Sequence, residues 1–235
     1  MQQGRTNRFT VIVAGGSGKR MESDLPKQFI KLANQPVLLH TLYVFHEFDR
    51  ELKIIIVLHA DYFDLWNSIC KEYSCSVPHK VIKGGETRFD SVKNGLEAID
   101  NNDGLVAIHD AVRPLVNVDT ISRCFDSAMK YGNALPAISP NESVRIAFAG
   151  GNKPIDRKNI YLVQTPQVFS LALIKKAYMQ EYKPDFTDDA TVFEASGKKI
   201  NIVEGDVLNI KLTTSIDLKF AETVMKQRKR RKVKS

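Results

Sequence analysis

Short apolar, β-branched runs alternate with helix-like stretches along most of this chain, and that alternation most limits how it can fold. Residues 9–13, 53–58, 80–83, 105–109 and 134–138 read as strands. Residues 37–48, 60–73, 87–99 and 119–131 read as helices, the first with Leu38, Leu42 and Phe45 on one face. Parallel strands need a crossover, usually a helix, so the pattern predicts an α/β protein with a parallel sheet covered on both faces. The near-continuous run Lys53-Ile54-Ile55-Ile56-Val57-Leu58 fits a strand buried on both sides. Ligands of such sheets sit beyond the carboxyl ends of the strands. The segments after Val13, Lys83, His109 and Ile138 are therefore expected to meet in one crevice.

The alternation breaks after Ile138. Residues 139–161 hold Pro140, Gly150, Gly151 and Pro154, and Ser143-Val144-Arg145-Ile146-Ala147-Phe148 alternates like a hairpin strand. Such an excursion buries little surface alone. The segment is either a floppy loop or an arm packed on another subunit, and the need of Val144, Ile146 and Phe148 for cover favours the arm. Helices at 171–182 and 188–196, strands at 200–204 and 208–212, and a final helix from Ser215 complete the pattern.

The first strand runs into Ala14-Gly15-Gly16-Ser17-Gly18-Lys19-Arg20-Met21, followed by Pro26-Lys27-Gln28. A P-loop needs Gly-x-x-x-x-Gly-Lys-Ser/Thr, but Gly18-Lys19 is followed by Arg20 and the first place holds Val13. A dinucleotide fingerprint needs a third small residue, where Met21 stands. What remains is a glycine turn for close approach, with Lys19, Arg20 and Lys27 for charge. That suits a polyphosphate.

A net charge of +7 resembles a nucleic-acid signature, but its distribution argues otherwise. Lys226, Arg228, Lys229, Arg230, Arg231, Lys232 and Lys234 all follow the last acid, Glu222. Without these seven the 34 basic residues fall to 27, equal to the 27 acidic ones. No nucleic acid is needed for function, and residues 226–235 read as a fraying helix end followed by disorder. No apolar run approaches a membrane span, and Met1-Gln2-Gln3-Gly4-Arg5 lacks the apolar core of a signal peptide. Cys70, Cys75 and Cys124 are odd in number and lack metal-site spacing, so they read as reduced thiols of a cytoplasmic protein.

Three further constellations fall at strand ends or in the second half. Gly84-Gly85-Glu86-Thr87-Arg88-Phe89-Asp90-Ser91 opens a helix. Gly85 and Ser91 either receive a base, or the segment is a cap made by Thr87 or Glu86. His109-Asp110-Ala111-Val112-Arg113-Pro114 follows the strand at 105–109. Asp110 is a metal or nucleotide contact, Arg113 either a ligand or a brace for Asp110, and His109 a packing residue. Phosphoryl chemistry usually employs Mg2+, with Asp110 as the candidate ligand. Arg157, Thr165, Thr187 and Lys211 are scattered; singly they read as structural, although Lys211 in an apolar segment suggests a buried anionic partner. No nucleophile–His–acid arrangement stands out. Cations around glycines suit a transfer in which one phosphorylated substrate attacks another.

In this order the motifs resemble the 2-C-methyl-D-erythritol 4-phosphate cytidylyltransferases of the non-mevalonate isoprenoid pathway. The resemblance rests on the glycine loop, Pro26-Lys27-Gln28, residues 84–91, His109-Asp110-Ala111-Val112-Arg113-Pro114, Thr165-Pro166-Gln167, Thr187-Asp188-Asp189-Ala190 and Asn209-Ile210-Lys211. It implies a three-layer Rossmann-like nucleotidyltransferase fold with a mostly parallel sheet and a protruding β-arm. Residues 1–225 would form a single domain, with a dimerisation arm at about 139–161. It implies CTP, a sugar-alcohol phosphate and Mg2+. Arg20 and Lys27 would stabilise charge on the α-phosphate and the leaving pyrophosphate. Arg157 and Lys211 would position the acceptor phosphate. Ala14, Gly15, Gly16, Gly18, Lys19, Gly85, Arg88, Ser91, Asp110 and Ala111 would hold the nucleotide. Asp110, Arg113, Ser143, Arg157, Thr165, Thr187 and Lys211 would hold the acceptor, with Arg157 serving the partner's site in a homodimer. The chain departs from the family pattern at Gly15, Lys19 and Ser143, where Ala, Arg or Thr, and Thr are common. Ribitol 5-phosphate cytidylyltransferases share the Asp110 motif and Thr213-Thr214, and a non-catalytic nucleotide-binding regulator of the same fold is the alternative outside enzymes.

Overall fold

A computed structural model describes residues 6–15 and 25–234. Strand β1 (Arg8–Ala14) leads to a small hairpin, β2 (Lys31–Leu32) and β3 (Gln35–Pro36), and then α1 (Val37–Phe48). β4 (Lys53–Leu58), α2 (Phe63–Glu72), β5 (Lys80–Lys83), α3 (Arg88–Glu97), β6 (Leu105–Asp110), α4 (Val118–Tyr131) and β7 (Asn133–Ile138) continue the alternation. β8 (Val144–Phe148) and β9 (Gly151–Ile155) follow, then β10 (Leu162–Val163), β11 (Gln167–Ser170), α5 (Leu171–Ala177), α6 (Asp189–Ala195), β12 (Ile202–Glu204) and α7 (Ser215–Lys234). The sheet order is β10-β7-β11-β6-β1-β4-β5, with β12 also on β7.

Side-chain direction alternates along a strand, and here it sorts residues into two cores. Ile54, Ile56 and Leu58 of β4, with Leu105 and Ala107 of β6, pack towards α1, α2 and α4. Ile55 and Val57, with Val106 and Ile108, pack towards α3, α5 and α6. The mostly parallel three-layer arrangement expected from the sequence is therefore present. A third cluster seats α7, with Ala221 and Val224 against Leu32, Val37 and Leu115.

Two expectations are corrected. β11 runs antiparallel between β6 and β7, in a segment with no strand expected. Its four residues are too short and mixed in character to show a period. Residues 208–212 form no strand. Their backbone turns on itself, Ile210 N to Leu208 O, and Leu212 N bonds Val112 O at 2.9 Å instead of joining a ladder. α7 continues to Lys234. Lys and Arg are good helix formers, and cations suit the negative end of a helix dipole. The arm stands as a hairpin of β8 and β9 with Ile146 and Phe148 exposed.

Candidate active site

Four parallel strands set the crevice. Val13 of β1 pairs with Asp110 of β6, Ala14 pairs with Leu58 of β4, and Leu58 with Lys83 of β5. Gly15, Gly84 and Asp110 therefore leave the sheet at one edge. Of the two readings of residues 84–91, the cap is present. Thr87 and Asp90 form a reciprocal capping box at the start of α3, so the cap is Thr87. The Gly85 amide also donates to Ser91 Oγ at 3.1 Å, and a Cβ on Gly15 would lie 3.1 Å from the same oxygen. A Cβ on Gly85 would fall 2.2 Å from Asp90 Cβ, so only glycine fits over the cap.

Asp110 is the hub of the second half of the crevice. Its carboxylate lies 3.0 Å from Lys211 Nζ, 3.3 Å from Arg113 Nε and 3.6 Å from Arg88 Nε. Burial disfavours its charge, but Arg88, Lys211 and Arg113 together hold it well below the usual carboxylate range. Arg113 also donates to Asn209 O at 2.9 Å, so the brace expected for Asp110 is present and ties in the Lys211 segment. Arg88 forms a forked pair with Asp189, a carboxylate with no exposure that also accepts from Tyr178 OH at 2.6 Å. Burial opposes the Arg88 charge, and Asp189 and then Asp110 more than restore it.

Thr165 closes the floor. Its Oγ1 accepts the Asp110 amide at 3.1 Å and lies 3.0 Å from His109 Nδ1. His109 Nε2 faces the Arg113 carbonyl, which can only accept, so the ring proton belongs on Nε2 and the Thr165 proton points at Nδ1. His109 is packed edge-on against Phe45, as a packing residue should be, and burial pushes its pKa down to about 3. Asn209 Nδ2 donates to the Thr165 carbonyl at 2.8 Å. A cleft of about 640 Å³ opens over this floor, lined by Arg88, Asp110, Arg113, Thr165, Thr187 and Lys211 among others.

Lys27 reaches the same place from the glycine-loop side. Its Nζ donates to Thr213 O at 2.8 Å, two residues beyond Lys211. Gln28 beside it is buried and donates to Ala14 O at 2.6 Å, which fastens the segment to the end of β1.

A family model described as 2-C-methyl-D-erythritol 4-phosphate cytidylyltransferase matches residues 9–227, which carry every one of these groups. The chain belongs to that family. A 2-C-methyl-D-erythritol 4-phosphate cytidylyltransferase of Bacteroides fragilis is 48% identical over 218 residues, 93% of this chain and 99% of that protein. One from Bacteroides thetaiotaomicron is 47% identical, over 92% of this chain and 98% of its own. Among solved structures, 4-diphosphocytidyl-2C-methyl-D-erythritol synthase from Anaerococcus prevotii has a TM-score of 0.81 at 28% identity, covering 94% of this chain and 96% of that one. The Francisella tularensis cytidylyltransferase has a TM-score of 0.77 at 33% identity, covering 93% and 99%.

Within this cytidylyltransferase fold, the described residues among those expected from sequence divide into three sets. Asp110, Arg88, Arg113, Thr165, Thr187 and Lys211 share the cleft, with Lys27 bonded at its edge. Ala14, Gly15, Gly85, Ser91 and Ala111 lie at the strand ends beside it, the Ala111 amide on Val13 O at 3.0 Å. Ser143 and Arg157 flank the exposed arm and do not line the cleft of their own chain; Arg157 donates to the Asn141 carbonyl. Gly16, Gly18, Lys19 and Arg20 lie outside the described residues. Sequence reading missed the part of Asp189 and Tyr178, since an acid in a first helical turn looks like ordinary capping.

Proposed function

We propose that this chain transfers the cytidylyl group of CTP to 2-C-methyl-D-erythritol 4-phosphate, giving 4-diphosphocytidyl-2-C-methyl-D-erythritol and pyrophosphate, in the non-mevalonate isoprenoid pathway. An oxygen of the acceptor phosphate attacks the α-phosphorus. The bond from that phosphorus to the oxygen bridging the β-phosphorus breaks, and pyrophosphate leaves with the electron pair. No protein nucleophile is required. The observation that carries the reading is that Lys27 bonds the Thr213 carbonyl, two residues from Lys211, whose ammonium pairs with the charged Asp110. One lysine comes from the nucleotide side and one from the acceptor side. Lys27, with Arg20, stabilises charge that grows in the transition state; Lys211, with Arg157 and Thr187, orients the attacking phosphate.

Mg2+ suits this site as a cation held by one carboxylate and substrate phosphates, its usual mode at such centres. Among the described residues no three His, Cys, Asp or Glu side chains gather into a metal site. Asp110 would hold the ion, which when bound neutralises phosphate oxygens.

The exposed Ile146 and Phe148, and a lining of the cleft that includes neither Ser143 nor Arg157 of the same chain, support a homodimer with exchanged arms. Ser143 and Arg157 then complete the partner's site. The three free cysteines support a reducing, cytoplasmic setting. Phosphorus NMR of CTP, acceptor, Mg2+ and protein tests the reaction, since the product's diphosphate pair and free pyrophosphate must appear in equal amount.

A further inference from the structure

One carboxylate oxygen fixes the turn between Lys211 and the last helix. Asp217 Oδ2 accepts from the Thr213 amide at 2.8 Å, the Thr213 hydroxyl at 2.9 Å and the Thr214 amide at 2.7 Å. In return the Asp217 amide donates to Thr214 Oγ1 at 3.2 Å. The exchange with Thr214 is a capping box at the start of α7. The two bonds to Thr213 go beyond capping, because they hold the residue before the cap. The Thr213 carbonyl is the acceptor for Lys27 Nζ at 2.8 Å. Two residues earlier, Lys211 Nζ lies 3.0 Å from Asp110. Between them the buried Leu212 is pinned by its amide to Val112 O.

We propose that Asp217 is a positioning residue for the transfer: through Thr213 it sets where Lys27 and Lys211 stand relative to each other across the crevice. The assignment rests on the reaction proposed above for the meaning of the two lysines. Segment 211–213 is tied at one end to the loop after β6 and at the other to Asp217. Freed at Asp217, the Thr213 carbonyl can rotate away and the flexible Lys27 stem loses its fixed acceptor. A misplacement of about 1 Å at a group far from the chemistry can cost about 100-fold in rate. Burial opposes the Asp217 charge, but the Thr213 and Thr214 donors hold its carboxyl below the usual range, so it remains an acceptor at neutral pH.

Two substitutions separate this role from helix capping. D217A and T214A each damage the same cap, but only D217A releases Thr213. In pyrophosphate release, D217A is expected to lower kcat at least about tenfold and raise KM for the acceptor, with KM for CTP little changed. T214A is expected to lower Tm yet turn over like the unsubstituted protein. D217N keeps one acceptor oxygen and should fall between them; it carries the comparison if D217A does not fold. Amine acylation read by mass spectrometry reports the same placement without turnover. Labelling of Lys27 and Lys211 should rise in D217A and D217N but not in T214A. Equal turnover and equal labelling across the Asp217 and Thr214 variants overturn the assignment. An inactive unsubstituted protein overturns the proposed reaction instead, and the labelling still decides the role of Asp217.

Discussion

Arg88 offers two guanidinium nitrogens to the two oxygens of Asp189, at 2.9 and 2.7 Å, and its third nitrogen turns towards Asp110. This pair joins the start of α3 to the start of α6, two residues beyond Thr187. Asp189 has no solvent exposure, so its charge depends on Arg88 and Tyr178. Removing one partner of a buried pair typically costs about 3–5 kcal/mol, because the other is left uncompensated. D189N should lower unfolding stability by about 3 kcal/mol in denaturant titration. R88K should not restore it, since an ammonium cannot make the forked contact. A loss below about 1 kcal/mol would show that the pair is dispensable.

Much of this was legible in the sequence and some was not. The strands β1, β4 and β6 announce themselves as apolar runs, and Ala14, Gly15, Gly85 and Asp110 meet where parallel strands end. The bond of Arg88 to Asp189 spans 101 residues, and no local pattern encodes it. Gln167 is similar: its side chain bonds both Asp188 and the Ala190 amide, so it braces α6 while β11 inserts between β6 and β7. Lys211 was legible as odd in an apolar segment. The expected strand at 208–212 was wrong because its carbonyls and amides serve Arg113, Val112 and Gln164 instead.

Stability should fall on mild acidification because of His109. Folded, it takes a proton only near pH 3; unfolded, near 6.5. Between those values the unfolded chain binds more protons, so stability declines as pH drops from about 6.5, by up to about 1.4 kcal/mol per unit. Asp110 does not contribute in the upper part of this window. Its depressed carboxyl contributes stability that is complete above the ordinary carboxylate range and lost only below it. Denaturation midpoints at pH 7 and pH 5 should differ in the unsubstituted protein and converge in H109N. An identical slope in both would show that another group titrates.

Lys27 should matter to rate far more than to fold. K27A is expected to lower kcat by about 100-fold or more, with an unchanged circular dichroism spectrum. A change confined to KM for CTP would make Lys27 a ground-state binding group.

Gly85 has no room for a side chain. G85A must displace Asp90 from its capping box, because the new Cβ would sit 2.2 Å from Asp90 Cβ. Weakened CTP binding by calorimetry, together with a lower Tm, is expected. Unchanged CTP affinity would detach the cap from the nucleotide side.

The proposed exchange of arms predicts complementation. R157A and K211A chains should each be inactive, but in a heterodimer one site pairs intact Lys211 with the partner's intact Arg157. Random mixing of the two should restore about one quarter of full activity, given two sites per dimer. No recovery after verified exchange would place Arg157 in its own chain's site.

The most direct measurement is pyrophosphate release with CTP and Mg2+, offering 2-C-methyl-D-erythritol 4-phosphate and ribitol 5-phosphate in parallel. Release with the first and little with the second is the predicted result. Release with ribitol phosphate alone, or silence with both from folded protein that binds CTP, would contradict it.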